Sequence, residues 1–106
     1  MSTKADINKA FRYLENFDYT VLSFGDNKPG RRGQAGGVDN IIFNKKYLIF
    51  VEIKSKDTGD KLSDKQKDTA LKLSSIAALN RTVYYFQIKT VSEAIDLRNR
   101  IIARKL

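Results

Sequence analysis

The sequence predicts one α/β domain, a mixed central sheet flanked by helices in the order α-β-β-β-α-β-α. Three observations predict it. A chain of 106 residues is too short for two independent cores, so residues 1–106 form a single domain. Apolar residues recur with helical period at both ends and over 63–79, while short β-branched and aromatic runs lie between. The composition, 42% hydrophobic and 30% charged, is that of a globular rather than a disordered chain.

Residues 4–16 form the first helix, with Ile7, Ala10, Phe11 and Leu14 on one stripe and Thr3 and Asp6 at capping-box spacing. Tyr19 to Phe24 is a short strand. The stretch 25–37 then holds five of the six glycines and the only proline, which makes it a loop. Strands follow at about 38–43 and 47–54, joined by a tight Asn44-Lys45-Lys46 turn. A helix over 63–79 opens on Ser63-Asp-Lys-Gln66, an S-x-x-Q capping box, and turns Ala70, Leu73 and Ala77 inward. Arg81 to Lys89 is a strand, and Thr90-Val-Ser-Glu93 caps a last helix with Ala94, Leu97 and Ile101 inward.

The chain has no cysteine and no histidine. Disulfides, thiolate chemistry and sulfur-ligated zinc are thereby excluded, as are the commonest general base and transition-metal ligand. A metal held here sits among carboxylate, carbonyl and water oxygens, which suits Mg²⁺ or Mn²⁺. The net charge of +8 points to a polyanionic partner, nucleic acid before an anionic membrane surface. No apolar run is long enough for a membrane helix and the first residues lack a signal-peptide core, so a cytoplasmic location is expected.

The segments that carry chemistry are Gly36-Gly37-Val38-Asp39 and Val51-Glu52-Ile53-Lys54. Period two sets Glu52 and Lys54 on one face of their strand, and Tyr47, Ile49, Val51 and Ile53 on the other. If Lys45 and Lys46 form a two-residue turn, paired residue numbers sum to 91 and Asp39 falls opposite Glu52. The same register stacks Ile41 on Phe50 and Phe43 on Leu48, so core and acidic pair demand the same alignment. Converged carboxylates repel unless a cation lies between them. With Lys54 to neutralise a phosphate oxygen or orient an attacking water, they are parts for phosphodiester hydrolysis. On spacing alone the residues equally describe a solvated salt-bridge cluster, because Glu-x-Lys is a common tripeptide.

Asp39 followed by Glu52-Ile-Lys54 resembles the D…(D/E)-x-K signature of the PD-(D/E)XK nuclease superfamily. With Gly59-Asp-Lys-Leu62-Ser63-Asp-Lys-Gln66 added, the pattern G-G-V-D … V-E-I-K-S … G-x-x-L-S-x-x-Q looks like the VRR-NUC branch. It is also similar to the Holliday-junction resolvases of archaea and viruses. The resemblance covers nearly the whole chain from residue 4 and implies a restriction-endonuclease-like core that cleaves DNA with a metal. It implies metal ligation by Asp39, Glu52 and the Ile53 carbonyl, a catalytic Lys54, a further site residue Gln66, and an acidic ligand from the first helix, for which Glu15 is the candidate. Val38 stands where the family often has proline, a structural position. A helix cap explains Gln66, and a surface charge explains Glu15, without any catalysis.

The expected partner is DNA, branched or otherwise non-B-form, because no second module for reading sequence is visible. Lys28, Arg31 and Arg32 in the glycine-rich loop, with Lys56, Lys61 and Lys65 beyond the site, are the candidate phosphate contacts. A two-fold junction needs two sites and hence a homodimer, for which Tyr84, Tyr85, Phe86 or Ile102 is the candidate interface residue. The expected function is a Mg²⁺-dependent structure-selective endonuclease of the resolvase kind; the alternative is a catalytically inactive nucleic-acid-binding relative of the same fold.

Overall fold

The structure, a computed structural model, describes residues 4–24, 38–54 and 64–106, with residues 64–66 described by backbone alone. The elements are α1 (Lys4–Arg12), a 3₁₀ turn (Tyr13–Phe17), β1 (Thr20–Ser23), β2 (Asn40–Phe43), β3 (Leu48–Ile53), α2 (Asp64–Leu79), β4 (Val83–Ile88) and α3 (Val91–Ile102). The order is the expected one. The helix expected over 4–16 splits in two, because its last turn tightens and stops at Asp18, held at φ 64°. Aspartate is one of the few residues beside glycine that enter this left-handed region readily.

The four strands form one mixed sheet in the order β1-β2-β3-β4. The pairs β1–β2 and β2–β3 are antiparallel, whereas β4 returns parallel to β3 after the α2 crossover. Asn40 pairs with Val51, Ile41 with Phe50, Ile42 with Ile49 and Phe43 with Leu48, the register expected from the hairpin. Its turn is closed by Asn44, whose N–H donates to the Tyr47 carbonyl (3.0 Å) while its Oδ1 accepts from the amides of Lys46 (2.9 Å) and Tyr47 (2.8 Å). An asparagine that bonds its own backbone two residues on sets such a turn locally.

The sheet's two faces differ. Ile42, Ile49, Val51, Ile53 and Ile88 join Ile7, Phe11 and Leu14 of the first helical segment and Ala94, Leu97 and Ile101 of α3 in one buried cluster. Each large side chain there contributes about 1.5–3 kcal/mol by leaving water. The inward positions expected for α1 and α3 are those buried. The opposite face meets α2 at β4, where Ala70 is buried and Leu73 and Ala77 are half-buried. Toward β1, Leu22 and Phe24 on that face are exposed, Phe24 to 58%. Of the residues expected at an interface, Tyr84, Phe86 and Ile102 pack against the core cluster and Tyr85 is half-buried. No helix among the described residues is long and apolar enough to cross a membrane.

The start of α3 is capped as its sequence requires. Thr90 Oγ1 accepts from the Glu93 amide (3.1 Å), and Glu93 Oε1 accepts from the Lys89 amide (3.3 Å). The boxes expected at Thr3–Asp6 and Ser63–Gln66 fall partly outside the described residues. Replacing Thr90 by alanine is expected to lower the unfolding free energy by about 1 kcal/mol, and Phe11→Ala by about 3–5 kcal/mol. Urea unfolding followed by circular dichroism checks both. Equal effects of the two would contradict this division between cap and core.

Candidate active site at the end of the central strand

Asp39 stands one residue before β2, where the regular ladder breaks. In an undistorted antiparallel strand the N–H and C=O of one residue face the same neighbour. Here the Asp39 N–H donates to the Val51 carbonyl (3.1 Å) on β3, and its carbonyl accepts from the Phe24 N–H (2.8 Å) beside β1. Continued at the same register, the Ile53 amide would meet the carbonyl of Val38. It donates to Asp39 Oδ2 instead, at 2.8 Å. The carboxylate therefore fills the next rung of the ladder, in the plane of the sheet, and only 8% of Asp39 is exposed.

Its second oxygen, Oδ1, accepts from the ammonium of Lys4 at 3.1 Å. Lys4 is the first residue of α1, and α1 is tied to the start of β2 by polar contacts. Asn40, fully buried, accepts from the Ser23 hydroxyl (2.8 Å) and donates through Nδ2 to Asn8 Oδ1 (2.9 Å). Asn8 lies one helical turn from Lys4, so the contact that anchors the helix also delivers the ammonium to Asp39.

Glu52 is 2% exposed and pairs with Gln87 across the parallel β3–β4 edge. Directly paired residues point to the same side of a sheet, and so do residues two apart in a strand. Phe50, Glu52, Tyr85 and Gln87 therefore share a face. Burial raises the Tyr85 phenol above its ordinary pKa, against a hydrogen bond from Gln87 Nε2 (3.1 Å), and the charges of Glu52 and Asp39 raise it further. One phenol thus lies within electrostatic reach of both carboxylates. Lys54 follows Glu52 by two residues, is half-buried, and its N–H donates to the Ile88 carbonyl (2.8 Å), which carries the parallel ladder one residue past β3.

Asp39, Glu52, the Ile53 backbone and Lys54 are thus gathered at one end of the sheet. Glu15 is not among them, which corrects the expectation that it joins the metal ligands. It lines an open cleft with Asp18, Tyr19, Thr20, Phe43, Asn44 and Lys45, at the turn end of the hairpin. The cause is the direction of the first helical segment, which starts beside Asp39 and runs toward that turn, so its late residues arrive at the wrong end. The residue it contributes to the site is Lys4, which in the sequence reads as an ordinary surface charge. The phosphate-contact candidates Lys28, Arg31, Arg32, Lys56 and Lys61 lie outside the described residues. Lys65 and Gln66 are described by backbone alone, in the first turn of α2.

The donor chemistry here is all oxygen. Among the described residues no group of three or more acidic, histidine or cysteine side chains converges. The carboxylates of Asp39 and Glu52 and the Ile53 carbonyl are oxygen donors, the kind that Mg²⁺ and Mn²⁺ take. Each carboxylate oxygen keeps a second lone pair, so ligation by Asp39 need not break its bond to Ile53.

Asp39→Ala is expected to cost about 1–3 kcal/mol of stability, since it strands the Ile53 amide and removes the partner of Lys4. Chemical unfolding of both proteins measures it, and an unchanged midpoint would contradict the role. The raised phenol has a pH signature. Stability from Tyr85 is fully present below the ordinary tyrosine pKa and is lost as pH climbs through the raised one. Glu52→Gln should bring the Tyr85 pKa down, read by NMR titration of ring-labelled tyrosine; an unmoved resonance would mean that the two groups are not neighbours.

Compared with protein-family models, with curated proteins and with solved structures, the chain matches none.

Proposed function

We propose that this chain is a metal-dependent, structure-selective DNA endonuclease with a restriction-endonuclease-like core, acting on branched DNA in the manner of a Holliday-junction resolvase. The observation that carries the reading is the joint burial of Asp39 and Glu52 at the end of an interior strand, with Lys54 next in line. The chain's oxygen-only donors suit Mg²⁺, with Mn²⁺ able to substitute. The net charge of +8 supports a polyanionic substrate.

In this reading Asp39, Glu52 and the Ile53 carbonyl hold the ion, which when bound supplies Lewis acidity to the phosphate and acidity to a water. Lys54 neutralises a phosphate oxygen or orients the attacking water. The ladder bond from Ile53 holds the Asp39 carboxylate before substrate arrives, so little reorganisation remains for binding to drive. A four-way junction has two equivalent strands to cut, which a homodimer with two such sites matches. DNA contact falls to the lysines and arginines that flank the site in sequence.

A second reading, a nucleic-acid-binding relative without catalysis, has one observation in its favour. Both oxygens of Asp39 already accept bonds that serve the fold. Labelled four-way junction, duplex and single strand, incubated with Mg²⁺, Mn²⁺ or EDTA, separate the two. The nuclease reading expects metal-dependent cleavage, strongest on the junction, and a loss of about a hundredfold or more in Lys54→Ala. Binding should survive that substitution, being spread over many basic side chains and weakened by salt. Absence of cleavage with either metal, alongside binding untouched by Asp39→Ala, would establish the second reading.

A further inference from the structure

Helix α2 meets the sheet along one narrow stripe. Ala70 is buried, and Leu73 and Ala77 are half-buried, where the helix packs on β4. The other large apolar side chains of its second half are exposed, Leu71 to 69% and Leu79 to 85%, with Ile76 close to half. At 100° per residue these three fall on the half of the helix turned away from Ala70 and Ala77. From Leu73 to Asn80 the helix carries no charge, only leucine, isoleucine, alanine, serine and one asparagine. A helix that is apolar on every side is normally a covered one.

The sheet has a matching strip. Directly paired residues and residues two apart in a strand share a side, so Leu22, Phe24 and Leu48 lie on the α2 side. All three are exposed. At roughly 200 Å² for a fully exposed side chain of this size, the six residues together expose about 700 Å² per chain. The largest apolar patch of an ordinary monomer is about 300–600 Å², and a stable complex needs about 800 Å² from each partner.

We propose that a second copy of this chain covers both, the outer side of each α2 lying on the Leu22–Phe24–Leu48 strip of the other. A bare helix side and a bare sheet strip on one chain are satisfied together by a two-fold axis, which makes one contact twice. Each α2 then runs between its own sheet and its partner's. The net charge of +8 on each chain opposes pairing, but the stretch 73–80 that enters the contact is uncharged. That stretch leads into Val83, which pairs with Leu48, so it stands at the opposite end of β3 from Glu52. The pairing gives a surface to the homodimer of the proposed function and rests on that reading for its use, two acidic sites in one assembly.

Light scattering on a sizing column tests the pairing without any cleavage assay. The parent chain should elute at twice its 12.1 kDa and fall toward the single mass on dilution. Leu79→Lys on α2 and Leu22→Lys on β1 each put an unpaired charge into the contact. Each should raise the dissociation constant at least about tenfold. Ile95→Lys, at an exposed position of α3, should leave it unchanged. Circular dichroism establishes that each variant is folded. Amide exchange of the parent needs no variant: exchange along residues 71–80 should slow as concentration rises. A single-chain mass at every concentration would overturn the proposal. So would a dimer that Leu79→Lys or Leu22→Lys leaves intact, because the two positions lie on opposite sides of one contact. Junction cleavage by a single chain would remove the pairing and keep the nuclease, and a dimer without cleavage would do the reverse.

Discussion

Where a β-ladder stops, the next amide must find another acceptor, and at the end of β3 the Ile53 N–H finds the carboxylate of Asp39. Most other features of the site follow from that bond. It draws an acidic side chain into the plane of the sheet and away from water. It leaves the second carboxylate oxygen for Lys4, and so ties the first helix to the central hairpin. It also ends regular pairing between β2 and β3, because the Asp39 amide and carbonyl have turned to opposite neighbours. A buried donor left without a partner costs roughly as much as several ordinary hydrogen bonds contribute, so the carboxylate has a structural reason to stay.

Electrostatics then sets the character of that end of the sheet. Asp39 and Glu52 are both nearly inaccessible, and the Tyr85 phenol beside them is held in its neutral form by burial and by their charge. Lys4 offsets part of this negative field from the α1 side, and Lys54 follows on the strand itself. Most of the apolar burial lies on the face away from Glu52.

Much of the fold could be read in advance because its determinants are local. The stripes Ile7–Phe11–Leu14 and Ala94–Leu97–Ile101 are set by helical period, the Thr90–Glu93 cap by its own spacing, and the hairpin register by Asn44 and the alternation on either side. The break of the first helix at Tyr13 was hidden, since 3₁₀ and α-helical turns share nearly the same apolar pattern. Glu15 was misplaced for a different reason. Its distance from Asp39 depends on which way the helix crosses the sheet, and periodicity carries no information about direction.

The sequence by itself determined the element order, the core faces, and the alignment that brings Asp39 to the end of β3, because each follows from contacts within a hairpin or a helix. It also limited any metal to oxygen ligands, by lacking histidine and cysteine. The tertiary structure alone decided that α1 brings Lys4 rather than Glu15 to the acidic pair, and that Asp39 caps the ladder through Ile53. It likewise decided that Tyr85 senses both carboxylates. These contacts join residues far apart in the chain, and they depend on the crossing direction of α1 and the parallel return of β4, which no local pattern specifies.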